Sequence, residues 1–212
     1  MNDETPTLLE IARWFEGKDF TTDWTSHAFP DWRTHLAQFR DRDCDVLEVG
    51  SWEGRSAVFF LEFLPRSRVT CIDPFTGNPK RHANDPSYLD ACRLVRTRFE
   101  KNVSGYGERV ETIASRSVPS LDRLARDERA FDVCYIDGSH ETDDVLVDSL
   151  LAWRMLRPGG ILIWDDYGKP GENQPGKAID SFLAMRPVEV ELLVRGYQVI
   201  IQRIAVDHMD QV

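Results

Sequence analysis

The chain has 212 residues, of which 42% are hydrophobic and 29% charged, proportions that suit one globular domain with a sizeable core better than two. A formal net charge of -10 argues against an electrostatic grip on nucleic acid, which depends on Lys and Arg neutralising phosphates. The first residues, Met1 to Pro6, are acidic, and no apolar run approaches the length of a membrane span, so neither a leader peptide nor a membrane partner is expected.

Leu8 to Phe15 reads as an amphipathic helix, and Trp24 to Trp32 as an aromatic-rich connection ahead of the first strand. Short apolar runs then alternate with helix-length segments. The strands expected are Val46–Val49, Val69–Ile72, Val110–Ile113, Val133–Ile136 and Ile161–Trp164, which predicts an α/β fold: a mostly parallel sheet with helices on both faces. Leu89, Cys92, Arg96 and Phe99 recur at helical spacing, as do Leu146, Leu150 and Trp153. The second of these helices is expected to stop at Arg157-Pro158-Gly159-Gly160. Gly168 to Gly176 is too rich in Gly and Pro for regular structure and reads as a loop over a site. Val188 to Ile204, broken at Arg195-Gly196, reads as a β-hairpin that ends the sheet antiparallel. The cysteines, Cys44, Cys71, Cys92 and Cys134, lack CxxC spacing, and two of them fall in strand-like runs. A reducing, cytoplasmic setting is the expectation.

Four signals carry chemistry. The first is Val46-Leu47-Glu48-Val49-Gly50-Ser51-Trp52-Glu53-Gly54-Arg55-Ser56, an apolar strand running into a glycine turn that opens a helix. Glycines allow close backbone approach, and the helix start offers N–H groups to an anionic group such as a carboxylate. The spacing is Gly-x-x-x-Gly, not the Gly-x-Gly-x-x-Gly of a dinucleotide site. It leans toward S-adenosylmethionine (SAM) and away from a nicotinamide cofactor, a plain tight turn being the alternative. The second is Asp73, about twenty residues on at a strand end, where an acid can accept ribose hydroxyls. The third is Asp137 followed by Asp165-Asp166 at the next strand end. Adjacent parallel strands would bring the three carboxylates together, and a divalent cation with a preference for oxygen, Mg²⁺ foremost, would relieve their repulsion. Each Asp alone could equally cap a helix or end a loop. The fourth is His140, three residues after Asp137, open to three roles: general base, metal ligand, or a group that orients Asp137.

The order and spacing of these segments, over roughly Cys44 to Ile204, resemble the class I methyltransferases. Within them the likeness is to the metal-dependent O-methyltransferases of the catechol and caffeoyl-CoA type and to a bacterial branch of small-molecule methyltransferases with Ile-Asp-Gly-Ser-His and Asp-Asp-Tyr flanking a helix. The resemblance implies a Rossmann-like, seven-stranded, mostly parallel sheet in a single domain over 1–212. Residues 1–43 would be a helical or lid segment, 44–205 the SAM-binding core and 206–212 a tail. It implies a cofactor-binding set of Glu48, Gly50, Ser51, Gly54, Ser56, Asp73, Ser117 and Asp137, with Ser56 at the SAM carboxylate and Ser117 near the adenine. Metal ligands would be Asp137, Asp165 and Asp166. His140 stands where the catechol-type enzymes carry a lysine base, a departure that leaves the base assignment open.

Trp24, His27 and Tyr167 are the candidate acceptor-binding residues, although burial in the core is the commoner fate of tryptophans such as Trp32. The segment Phe75 to Tyr88 could also cover the acceptor, and Lys80, Arg81 and His82 form a small basic cluster within it. The implied activity is methyl transfer to a hydroxyl of a small molecule; a metal-independent O- or N-methyltransferase and a SAM-binding protein without turnover are the alternatives. A phenol, a sugar hydroxyl or an amine would each fit the stated site, and a lid contributed by the N-terminus is compatible with a homodimer.

Overall fold

The computed structural model describes residues 5–77, 86–168 and 175–204. In chain order the elements are α1 (Leu8–Arg13), α2 (Phe29–His35), β1 (Cys44–Val49), α3 (Arg55–Phe63), β2 (Ser67–Ile72), α4 (Pro86–Val103), β3 (Val110–Ile113), α5 (Ser117–Arg126), β4 (Phe131–Ile136), α6 (Thr142–Met155), β5 (Leu156–Trp164), α7 (Pro175–Ala184), β6 (Val190–Arg195) and β7 (Val199–Arg203). The strands form one seven-stranded sheet in the order β3-β2-β1-β4-β5-β7-β6. β3 through β5 pair in parallel, whereas β7 is antiparallel to both β5 and β6. The expected terminal hairpin is thus present, and it is inserted so that β7 rather than β6 lies against β5.

Side chains alternate between faces along each strand, which splits the interior in two. Val46, Val69, Cys71, Val133, Tyr135, Ile161, Ile163 and Ile200 face one core, packed with Trp32 of α2 and the phenylalanines of α3. Leu47, Val49, Cys134, Ile136, Leu162, Trp164 and Ile201 face the other, with Trp153 of α6 and Phe182 of α7. The helical faces expected from the sequence are met in part: Phe99 and Trp153 are buried, Leu89, Cys92, Leu146 and Leu150 partly so, and Arg96, Leu8 and Leu9 are exposed. In α4 the residues taken to zero exposure are Val95 and Phe99, one turn apart.

Several boundaries differ from the sequence expectation: α1 stops at Arg13 rather than reaching Phe15, the expected connection Trp24 to Trp32 contains the start of α2, and two more lie between α6 and β5 and at α7. Helix α6 ends at Met155, and Arg157-Pro158-Gly159-Gly160 belongs to the first half of β5, where Gly159 takes φ +78° and the pairing with β4 shifts register between Phe131 and Val133. A proline is tolerated there because the irregular pairing requires no regular ladder hydrogen bond from its nitrogen. Pro175 and Gly176, expected in a loop, open α7; proline fits a first helical turn, where its missing N–H would have had no partner in the helix. Of that loop, residues 169–174 lie outside the described residues, as do Lys80, Arg81 and His82.

Candidate active site

The chain runs β1, β2, β3 outward and then crosses back to place β4 on the other side of β1. Such a reversal opens a crevice beyond the C-terminal ends of the strands, where ligands bind in open α/β sheets. Registers at that rim are level: Val49 pairs with Ile72 and Ile136, and Ile136 with Trp164. The ladder continues one step further, with Gly50 N donating to Ile72 O at 2.9 Å, Asp137 N to Val49 O at 2.8 Å and Asp165 N to Ile136 O at 3.1 Å. Gly50, Asp73, Asp137 and Asp165 therefore stand in one row across the sheet.

The glycine turn is built around that row. Gly50 has φ +89°, and a β-carbon on it would lie 1.9 Å from the carbonyl oxygen of Asp137, so no other residue fits where β1 and β4 come together. Gly54 has φ +83° as the N-cap of α3, and Ser56 sits nearly buried in the first turn of that helix. Asp73 holds the turn from the side: its Oδ2 accepts from the N–H groups of Ser51 and Trp52, both at 2.9 Å, and its Oδ1 from Phe75 N at 2.6 Å. An ionised carboxylate has about four acceptor sites, so these bonds leave capacity for a further donor. Burial raises the Asp73 carboxyl above its ordinary value, and the three backbone N–H groups oppose that rise.

Beneath the turn lies Glu48, fully buried, with neither carboxylate oxygen in good hydrogen-bond geometry although the Ser51 and Ser56 hydroxyls and the Cys71 thiol surround it. Burial pushes its carboxyl up to about 7. A buried acid without a counter-group, under a turn that offers backbone N–H groups, fits an α-amino acid, with the ammonium toward Glu48 and the carboxylate toward the helix start. Glu48 and the glycine turn are thus compatible with the methionine part of SAM. Ser117, the first residue of α5, has its hydroxyl close enough to Asp148 on α6 to oppose the rise that burial gives that carboxyl.

The acidic groups occupy the neighbouring stretch of the rim. Among the described residues, Asp137, His140 and Asp166 have ligating atoms that all lie within 4.8 Å of one another. His140 Nδ1 is 3.2 Å from Asp166 Oδ2 and 3.8 Å from Asp137 Oδ1. Asp165, which the sequence placed with them, stands beside this group, with its Oδ1 held by Gln198 Nε2 at 2.7 Å; burial pushes its carboxyl upward. His140 and Asp166 both adopt left-handed backbone, with φ of +60° and +58°, as do Trp52 and Phe75 on the cofactor side. Non-glycine residues held in that region carry strain that gathers at functional sites.

The N-terminal segment roofs the same face. Thr21 donates its N–H and its hydroxyl to the two oxygens of Glu53, each at 2.6 Å, Arg98 approaches Glu53 at 3.3 Å, and Arg55 pairs with Asp23 at 2.8 Å. Of the candidate acceptor residues, Trp24 is half exposed with its ring 5.6 Å from that of Trp52, and His27 meets the Tyr197 ring edge-on at 4.9 Å. Tyr167 is turned to Asp180 and Arg195 instead, its hydroxyl 3.1 Å from the former. Trp32 is core, with no exposure. Sequence reasoning missed Tyr135, Tyr197 and Gln198. Tyr135 could have been found, since it lies two residues before Asp137 on one strand face, whereas nothing local ties residues 197–198 to residues 165–166.

A family model described as a methyltransferase domain matches residues 47–167, more than half of the chain. Mycinamicin VI 2''-O-methyltransferase of Micromonospora griseorubida is 25% identical over 169 residues, covering 76% of this chain and 36% of its own length. Demethylmacrocin O-methyltransferase of Streptomyces fradiae is 25% identical over 188 residues, covering 82% and 41%. The chain therefore spans well under half the length of these two relatives. In fold it is similar to the MycE methyltransferase of the mycinamycin pathway, a structure in complex with Mg, SAH and mycinamycin VI (TM-score 0.64, 22% identity, 96% of this chain and 55% of that one). It is also similar to an O-methyltransferase from Bacillus cereus in complex with SAH (TM-score 0.57, 17% identity, 94% and 92%).

Proposed function

We propose, from the premise that this chain belongs to the methyltransferase domain family, that it transfers the methyl group of SAM to a hydroxyl oxygen of a small molecule and uses a divalent cation, Mg²⁺ by the hardness of the donors, to position the acceptor. The observation that supports the reading is the single row of Gly50, Asp73, Asp137 and Asp165, which brings the glycine turn and Asp73 alongside the group of Asp137, His140 and Asp166. The named activities of the two macrolide O-methyltransferases and the Mg and SAH in the MycE complex support it.

When bound, SAM supplies an electrophilic methyl group and the cation lowers the pKa of the acceptor hydroxyl. The chain's own residues do the rest. Gly50 and Gly54 admit the methionine part against the backbone, Glu48 faces its ammonium, Ser51 and Ser56 flank it, and Asp73 takes the ribose. Ser117, with the rim at Asp137, borders the adenine. Asp137, Asp165 and Asp166 are the cation ligands. His140 is the base: with Nδ1 in hydrogen-bonding reach of Asp166, its lone pair falls on Nε2, as in other histidines oriented by a carboxylate. Most of the rate enhancement would come from holding oxygen and methyl in line. Trp24 and His27 form the acceptor side of the crevice, and the N-terminal segment excludes water above it. The cytoplasmic setting is part of this proposal; among the described residues no helix is long and apolar enough to cross a membrane.

Titration calorimetry with SAH tests the cofactor half of this reading, and a heat of binding is expected. No heat with SAH removes it. Methyl transfer to a phenol or sugar hydroxyl that persists in excess EDTA would remove the cation and leave the methyltransferase.

A further inference from the structure

Two adjacent acids, Asp165 and Asp166, follow β5, and two adjacent donors, Tyr197 and Gln198, precede β7. Trp164 pairs with Val199 in the antiparallel ladder, so the two dipeptides face each other one step beyond the last strand pair. Gln198 Nε2 donates to Asp165 Oδ1 at 2.7 Å, and the Tyr197 hydroxyl donates to Asp166 Oδ1. On the far side of the site the Tyr135 hydroxyl donates to Asp137 Oδ2 at 3.0 Å. Each of the three rim acids thus has one oxygen held by a neutral donor. The other oxygen of Asp137 and of Asp166 lies 3.8 Å and 3.2 Å from His140 Nδ1.

The direction of the Gln198 amide is set from behind. Trp32 Nε1 lies 2.8 Å from Gln198 Oε1, and an indole N–H can only donate. Reversing the amide would set donor against donor at Trp32 and acceptor against acceptor at Asp165. Trp32 has no exposure, and Gln198 and Asp165 are 5% and 7% exposed, so water offers little substitute. Helix α2 therefore reaches the acid cluster through one amide.

We propose that Tyr135, Tyr197 and Gln198, the last braced by Trp32, are positioning residues that fix the orientations of Asp137, Asp166 and Asp165 for a divalent cation. The inference rests on the cation reading above and extends it to residues of α2, β4 and the terminal hairpin. Carboxylates that ligate a cation are commonly held by such donors, and loss of one weakens binding by about 10- to 100-fold.

The test uses Mn²⁺ as probe, with affinity read by electron paramagnetic resonance on chelator-treated protein and SAH affinity read in parallel by calorimetry. Tyr197→Phe, at a half-exposed side chain with little bearing on folding, is expected to weaken Mn²⁺ by about 10-fold or more while SAH affinity and melting temperature stay near wild type. Gln198→Leu is expected to weaken Mn²⁺ comparably with SAH affinity retained, its melting temperature lowered because the buried Trp32 N–H and Asp165 oxygen lose their partner. Trp32→Phe keeps an aromatic ring in the core but loses part of the indole's volume along with the donor that orients the amide, so its melting temperature falls; about 3- to 10-fold in Mn²⁺ affinity with SAH affinity retained is expected. Wild-type Mn²⁺ affinity in folded Tyr197→Phe and Gln198→Leu overturns the proposal, and so does a joint loss of Mn²⁺ and SAH affinity with a lowered melting temperature, the mark of a structural role. A wild-type protein that binds SAH but no Mn²⁺ removes the cation reading, and this inference with it.

Discussion

His140 Nδ1 lies 3.2 Å from Asp166 Oδ2, and both residues hold left-handed backbone at the ends of neighbouring strands. The contact joins two loops that the chain keeps far apart in sequence. It also separates the two roles a histidine can take here, because the nitrogen engaged with the carboxylate cannot be the one that accepts the acceptor's proton.

His140→Gln keeps a polar side chain of similar reach and removes the base. Turnover should fall by about 10²- to 10⁴-fold while Mn²⁺ affinity changes little. A parallel loss of Mn²⁺ affinity would instead make His140 a ligand, which a spectroscopic titration of the variant decides.

Asp166→Asn isolates charge from backbone, since asparagine tolerates the left-handed φ of +58° that Asp166 adopts. The melting temperature should stay close to wild type and cation affinity should drop by about 10-fold or more. Unchanged cation affinity would take Asp166 out of the ligand set.

Gly50→Ala should damage the fold itself. A β-carbon 1.9 Å from the Asp137 carbonyl, on a residue at φ +89°, forces β1 and β4 apart at the rim, at a cost on the order of 3 kcal/mol or more. Thermal melts should show a midpoint lowered by roughly 10 °C and calorimetry no SAH binding. A variant that melts like wild type and binds SAH would show that the turn has more room than its geometry implies.

Glu48, pushed by burial up to about 7, holds its proton below neutrality until an ammonium arrives beside it. Ligand binding near pH 6 should therefore release a proton, seen as a dependence of the binding heat of SAH on the ionisation heat of the buffer. Glu48→Gln should abolish that dependence and weaken SAH. A wild-type binding heat independent of buffer would place the ammonium elsewhere.

Asp148, whose Oδ2 lies near Gly138, supplies a pH dependence of stability. It is nearly fully buried, one oxygen lacks a partner, and burial pushes its carboxyl up to about 7. The unfolded chain ionises it near pH 4, so between about pH 4 and 7 the folded state binds more protons and stability declines as pH rises. Asp148→Asn keeps an acceptor for Ser117 and removes that decline. Melting curves should show the variant gaining on wild type as pH rises from 4 to 7 and level thereafter. Parallel curves for the two proteins would contradict the assignment.

Local patterning was enough to reveal much of this molecule. The short β-branched apolar runs, the helical spacing of Leu146, Leu150 and Trp153, and the glycine turn after Val49 each depend on residues within a few positions of one another, and local backbone sterics and apolar burial decide them. Asp137 and Asp165 could be placed at one rim because parallel neighbours with helices between them end on the same side. What only the tertiary structure decided was non-local: that β7 rather than β6 lies against β5, that Tyr197 and Gln198 thereby face Asp166 and Asp165, and that Trp32 orients the amide between them. Those contacts span 31 to 166 residues. No periodicity encodes them, because strand order is settled by which faces bury together once the whole sheet is assembled.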